Sequence, residues 1–118
     1  MLGFRPRVLP GEEEGSLAFA GAVAALDESE GPFLVLDVGG GSTELVAGTS
    51  APGAVVSVDV GSVRVTERFF RRDPPSASEL ADALDVIRTE LDEALRLNPS
   101  LGNARCLVGL GGTVTTMA

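Results

Sequence analysis

From Arg7 onward the chain alternates short apolar runs with polar or glycine-rich breaks, and their spacing predicts the elements. Arg7-Val8-Leu9 is a short strand candidate that ends at Pro10-Gly11. Glu12 to Leu26 reads as a helix. Three acids fill its first turn, where the helix dipole favours negative charge, and Ala18, Ala20, Gly21, Ala22, Ala24 and Ala25 keep it narrow enough to lie close to a sheet. Asp27 to Pro32 is a polar loop. Phe33 to Val38 is an apolar run suited to a strand buried on both faces. Glu44 to Gly48 is its hairpin partner, and Ala54 to Val60 is a third strand reached through Pro52-Gly53. Connections this short predict an antiparallel three-strand meander. Ser62 is placed to cap a short helix through Phe70, with Val65, Phe69 and Phe70 as its buried side. Ser76-Ala77-Ser78-Glu79 has the form of a capping box. The helix beyond it carries Leu80, Leu84, Ile87, Leu91 and Leu95 on one face, turns its acids to solvent and stops at Asn98-Pro99. Arg105 to Leu110 is a last buried strand, running into Gly111-Gly112-Thr113, where another helix begins.

The chemistry concentrates at the end of the first apolar run. Phe33-Leu-Val-Leu-Asp-Val-Gly-Gly-Gly-Ser-Thr-Glu44 places Asp37 near a strand terminus, then three glycines, two hydroxyls and Glu44. Glycines let backbone N–H groups approach a ligand without a Cβ in the way, and consecutive N–H groups can form a nest for an anion such as phosphate. A carboxylate beside such a nest opposes the anion unless a cation or a proton mediates, which points to a magnesium–phosphate site. A tight hairpin with Asp37 as a local hydrogen-bond acceptor fits the same residues. The segment is not a dinucleotide fingerprint, because Glu44 stands where the third glycine belongs. It is not a Walker loop, because the chain has no lysine. It is not a serine-nucleophile elbow, because Ser42 lacks the following glycine and there is no histidine partner. An apolar strand meets Gly-Gly and a hydroxyl a second time at Gly111-Gly112-Thr113, and two such junctions in one small chain exceed ordinary turn chemistry.

Composition narrows the options. The 118 residues include no histidine, lysine, tyrosine or tryptophan, and a single cysteine, Cys106, which sits in an apolar run. Any acid–base chemistry therefore falls to carboxylates. A zinc site is disfavoured, and carboxylate and hydroxyl oxygens suit magnesium or manganese. The net charge of −8 argues against nucleic acid or a membrane surface as partner. One cysteine rules out an intrachain disulfide and fits the cytoplasm. The apolar run from Leu17 to Leu26 is too short to span a bilayer, and Glu12, Glu13 and Glu14 ahead of it do not suit a signal peptide. A hydrophobic content of 44 % supports one folded unit.

Taken together, Leu9-Pro-Gly-Glu-Glu-Glu14, Asp37-Val-Gly-Gly-Gly-Ser-Thr-Glu-Leu-Val46, Ser57-Val-Asp-Val-Gly-Ser-Val-Arg64, Asp73-Pro-Pro75 and Gly111-Gly-Thr113 resemble, in order and spacing, the exopolyphosphatase and guanosine pentaphosphate phosphohydrolase (Ppx/GppA) family. The resemblance implies an α/β fold. It would be a ribonuclease-H-like, actin-like ATPase lobe, with a mixed sheet holding the three-strand meander and flanking helices. It implies hydrolysis of a terminal phosphoanhydride in inorganic polyphosphate or guanosine pentaphosphate, with magnesium or manganese as cofactor and a homodimer for the full-length protein. Glu14 matches the family's water-activating glutamate, and Glu44 a second essential acid that positions water or metal. Asp37 matches the family's metal- or phosphate-site aspartate. Gly39, Gly40, Gly41, Ser42 and Thr43 match its phosphate loop, and Gly111, Gly112 and Thr113 its later glycine motif. Two departures stand out. Gly15 replaces the family's usual alanine, and the family's N-terminal Asp-x-Gly-Ser-Asn-Ser strand motif is absent. The chain is therefore expected to be a partial lobe, short of the opposing phosphate loop and a C-terminal continuation, that folds but hydrolyses little alone. A kinase or nucleotide-binding chaperone of the same superfold, and a non-enzymatic alarmone sensor, share parts of the pattern.

Overall fold

The computed structural model describes residue 3 and residues 7–117, with the side chains of Thr113 and Met117 outside that description. Its elements run α1 (Gly11–Val23), β1 (Phe33–Val38), β2 (Thr43–Gly48), β3 (Pro52–Val58), α2 (Ser62–Phe69), α3 (Ala77–Leu97), β4 (Cys106–Leu110) and α4 (Gly112–Met117), with 3-10 turns at Glu28–Glu30 and Pro99–Asn103. The sheet order is β3-β2-β1-β4. The first three strands form the expected antiparallel meander, and β4 returns parallel to β1 beside it. No helix among the described residues is long and apolar enough to cross a membrane.

Each sheet face carries its own core. On one face Phe33, Val35 and Val46 close around Phe19 of α1. On the other, Leu45, Ala47 and Val58 meet Ala94 of α3 and Leu101, with Leu91 at the margin. The internal strand β2 is therefore buried from Thr43 through Ala47, which explains why Leu45, Val46 and Ala47 are apolar in succession where a half-exposed strand would alternate. Phe19 and Phe33 are almost fully inaccessible, and burial of such a side chain is worth about 1.5–3 kcal/mol. The close approach of α1 to the sheet is made at Gly15 and not by the small residues that follow, since Ala20, Gly21, Ala24 and Ala25 are exposed and Gly21 has nothing within 4 Å of an added Cβ. A Cβ at Gly15 would stand only 3.1 Å from Val46 and 3.2 Å from Val55, so the small residue lets the helix settle onto β2 and β3.

Several local expectations change. The last strand, β4, is not buried: it lies at the sheet edge, with Leu107 66 % exposed. Val65, Phe69 and Phe70 of the α2 segment are only half-buried. Residues 7–10 form no strand, since the chain there leads into a helix lying over a sheet face. Ser62 is the first residue of α2, not its cap; Gly61 holds that place. The leucine stripe of α3 is only partly covered. Ala83 and Ala94 are buried and Ile87 and Leu91 half-buried, while Leu80, Leu84 and Leu95 stay 41–49 % exposed. The covered face is centred on Ala83, Ile87, Leu91 and Ala94, so Leu84 and Leu95 fall on its flank.

The capping box at α3 is formed in full. Ser76 Oγ accepts from the Glu79 N–H, and the Glu79 carboxylate accepts from the Ser76 N–H. Hydrogen bonds from the backbone N–H groups of Ser76 and then Arg71 hold the Glu79 carboxyl below its ordinary 4.5. Its contribution is therefore fully present above that value and is lost as pH falls through the lowered one. Ser76→Ala is expected to cost about 0.5–2 kcal/mol, measured as a lower urea midpoint with an unchanged slope.

Candidate active site

The acids of the sequence motif meet at one end of the sheet. Asp37 on β1 lies directly opposite Glu44 on β2, and residues paired this way present side chains to the same face. Glu44 is almost entirely buried. Its Oε1 accepts from Ser42 Oγ at 2.8 Å and from Ser57 Oγ, on β3, at 2.9 Å. The first turn of α1 covers this pair: a Cβ on Gly11 would stand 2.8 Å from Ser57 Oγ and 3.4 Å from Glu44 Oε1, and one on Gly15 3.4 Å from Glu44 Cβ. Glu14 belongs to that turn. It is exposed, its N–H donates to the Pro10 carbonyl, and its carboxylate has no partner among the described residues. Neighbouring Glu13, by contrast, pairs with Arg7 at 2.7 Å.

The turn Gly39–Ser42 is closed by the Gly39 N–H donating to the Ser42 carbonyl at 2.9 Å. It is not an alternating right- and left-handed nest, since Gly111 is the one described glycine with positive φ. Its amides are aimed by another route. The Ser62 N–H donates to Gly39 O, the Val63 and Arg64 N–H groups to Gly40 O, and Arg64 Nε to Gly41 O at 2.8 Å. In a trans peptide the carbonyl and the following N–H point oppositely. Carbonyls held toward α2 therefore send the N–H groups of Gly40, Gly41 and Ser42 the other way, and none of these makes a backbone hydrogen bond among the described residues. Those three N–H groups therefore point away from α2, which itself packs against α3. Thr43 is turned from the site. Its side chain is buried and its hydroxyl donates to the Val60 carbonyl at 2.6 Å, which leaves no proton for a phosphate and makes it a tie between β2 and the end of the meander.

The second glycine junction joins the first. Gly111 has φ +91°, and a Cβ there would lie 3.0 Å from Asp37 Oδ1 and 3.0 Å from the Val38 carbonyl. Parallel pairing of β4 with β1 sets Leu110 beside Asp37, so the turn into α4 falls against that carboxylate. Gly112 has open space where a side chain would be. The Thr113 side chain lies outside the described residues.

Opposed carboxylates repel, and neither Asp37 nor Glu44 has an ion pair among the described residues. That imbalance fits a cation. No group of three or more His, Cys, Asp or Glu side chains gathers among the described residues, so an all-protein cage is lacking. Magnesium does not need one: it is commonly held by one or two carboxylates together with substrate phosphates and water. Half-buried Asp37, free of hydrogen bonds among the described residues, suits this better than Glu44, whose Oε1 is already engaged twice.

Ser57, Gly61 and Arg64 lie within the motif stretch of the sequence, yet nothing local assigns them a task. Their partners are 13 to 23 positions away in sequence for the two hydrogen bonds, Ser57 to Glu44 and Arg64 to Gly41. Gly61 stands against the Gly40–Gly41 backbone. A glycine between a strand and a helix start was the one available sign of that close approach.

The sequence model of the Ppx/GppA phosphatase family matches residues 1–118. The chain is 46 % identical over 116 residues to exopolyphosphatase 2 of Mycobacterium tuberculosis, covering 98 % of this chain and 36 % of that protein. It is 32 % identical over 118 residues to a guanosine-5'-triphosphate,3'-diphosphate pyrophosphatase of Photobacterium profundum, covering 99 % of this chain and 23 % of that protein. Among solved structures, an exopolyphosphatase-like protein superposes with a TM-score of 0.89 at 41 % identity, over 98 % of this chain and 38 % of the other. The Aquifex aeolicus Ppx/GppA family member superposes at 0.77 and 36 % identity, over 91 % and 33 %. The chain thus spans 23–38 % of the length of these relatives. Whole-chain agreement in sequence, with strands, helices and both glycine turns in place, identifies a lobe of the actin-like ATPase fold, and the chain belongs to the Ppx/GppA phosphatase family.

Proposed function

We propose that this segment supplies one side of a magnesium-dependent phosphoanhydride hydrolase that releases terminal phosphate from inorganic polyphosphate, guanosine pentaphosphate or both. The observation that carries the reading is Asp37, opposite Glu44 across β1 and β2 and in contact with Gly111, so that both glycine turns meet at one carboxylate. The names of the relatives, an exopolyphosphatase and a guanosine-5'-triphosphate,3'-diphosphate pyrophosphatase, support the substrate class.

In this reading the N–H groups of Gly40, Gly41 and Ser42 bind non-bridging oxygens of the terminal phosphate. Glu14, unpaired at the start of α1, orients a water and takes its proton as the water oxygen attacks phosphorus. The bond from phosphorus to the bridging oxygen breaks, and the shortened chain leaves with that oxygen. Glu44, fixed by Ser42 and Ser57, keeps the turn and α1 in register and adds negative charge that favours a cation. Magnesium, or manganese, would be held by Asp37 together with substrate oxygens, and its chemistry is neutralisation of phosphate charge. Positioning of this kind works from both sides of a phosphoryl group, so the activity belongs to the full-length protein that carries this segment.

The test is phosphate release by that full-length protein from polyphosphate and from guanosine pentaphosphate, with magnesium present or chelated. Release of orthophosphate that stops on chelation and returns with magnesium is expected. Asp37→Asn should raise the magnesium needed for half-maximal rate by at least about 10-fold, the scale seen even for outer-shell changes. No release from either substrate, or release indifferent to chelation, defeats the proposal.

A further inference from the structure

We infer that Arg64 is a positioning residue for the phosphate turn: it fixes the Gly41–Ser42 peptide so that its N–H stays aimed at the site. The inference rests on the reading of Gly39–Ser42 as a phosphate loop.

Three consecutive carbonyls of the turn are held from α2, but not in the same manner. Those of Gly39 and Gly40 accept from backbone N–H groups of Ser62, Val63 and Arg64, which any side chains there would leave in place. The Gly41 carbonyl accepts from a side chain, Arg64 Nε, at 2.8 Å. It is the link that a substitution can release. Gly41 and its predecessor are exposed, and glycine has the widest choice of backbone conformations, so an unheld Gly41–Ser42 peptide is free to rotate and carry its N–H out of line.

The geometry also suits arginine in particular. Nε lies within the rigid guanidinium plane, and Nη2 falls 3.7 Å from the place a Gly41 Cβ would take. The head therefore lies along the turn instead of reaching into solvent. Arg64 makes no ion pair among the described residues and is exposed, so its bond to the turn is not a by-product of a surface salt bridge. Lysine keeps the charge but has no planar fork with which to hold a carbonyl and lie along the backbone at once.

The experiment uses the full-length protein with Arg64→Ala, Arg64→Lys and, as a control on the same helix, Arg68→Ala, whose guanidinium stacks on Phe69 at 5.0 Å. Three quantities are measured: kcat/KM on polyphosphate, affinity for inorganic tripolyphosphate by calorimetry, and Tm. Arg64→Ala is expected to lose about 10- to 100-fold in kcat/KM and a similar factor in tripolyphosphate affinity, the scale of a charge-assisted hydrogen bond. Its Tm should stay within about 2 °C, as for an exposed substitution. Arg64→Lys should fail to restore the loss, and Arg68→Ala should match the parent. The inference is overturned if Arg64→Ala keeps parental affinity and kcat/KM, if its losses merely follow a lowered Tm, or if Arg64→Lys restores full activity. If the unsubstituted protein neither hydrolyses polyphosphate nor binds tripolyphosphate, the phosphate-loop reading itself fails, which is a separate outcome.

Discussion

Glu14→Gln in the full-length protein is expected to cut phosphate release by about 10²–10⁴-fold, the usual contribution of a positioned general base. Affinity for tripolyphosphate should remain within about threefold, because the amide is close in shape and the base acts on water rather than on phosphate. The geometry makes this a clean substitution. Glu14 is exposed and its carboxylate has no partner among the described residues, so little structure depends on it. The turn that bears it is nevertheless fixed, because Gly11 and Gly15 stand against Ser57 and Glu44. Glu13→Gln provides the comparison. Its carboxylate is tied to Arg7 at the surface, and loss of an exposed pair is worth no more than about 1 kcal/mol, so rate and affinity should stay near parental. Single-turnover phosphate release with both variants separates the base from its neighbours. Near-parental turnover in Glu14→Gln would remove it from the mechanism.

Gly61→Ala is expected to be the most damaging single-methyl change near the site. A Cβ at Gly61 would collide with the Gly40 carbonyl and crowd the Gly41 backbone. These are main-chain atoms that cannot swing aside as a side chain can. The backbone there is extended, with φ −145°, so the conformation suits alanine and the objection is purely spatial. Relief requires α2 and the turn to separate, which breaks the bonds from Ser62, Val63 and Arg64 to the glycine carbonyls. Overpacking of this kind costs about 1–3 kcal/mol and occasionally more, and activity should fall more steeply than stability because the amides lose their aim. Urea unfolding and polyphosphate turnover on the same preparation test the pair of effects. Parental values for both would mean that the turn tolerates a separated α2. Gly112→Ala, where no atom lies within 4 Å of the added methyl, is the matched substitution expected to fold normally.

Most of the secondary structure was readable along the chain because its causes are local. Periodic apolar runs, the Ser76–Glu79 box and the Gly-Gly breaks act within a few residues, and the elements they predict are present from Phe33 onward. The misreadings have non-local causes. Arg7-Val8-Leu9 has a strand-like composition, but a strand exists only where a partner edge is offered. The leucine stripe of α3 has the right period, but a period cannot say which flank of the helix the rest of the chain covers; Ala83 and Ala94 are buried, and Leu80, Leu84 and Leu95 stay exposed. Within the site, glycines and acids were legible as types. Their division of labour was not: Thr43 and Ser42 look alike in sequence, yet strand alternation turns one hydroxyl into the Val60 carbonyl and the other onto Glu44.

The sequence by itself determined that two strands end in glycine turns, that only carboxylates are on hand for acid–base work, and that one short helix begins with three acids. Those are properties of neighbours along a chain, and residue type decides them. The tertiary structure alone decided that both turns share Asp37, that Ser57 holds Glu44 and that Arg64 holds Gly41. Such contacts depend on strand register and on which sheet face each helix covers, and these are fixed by the packing of the whole chain at once.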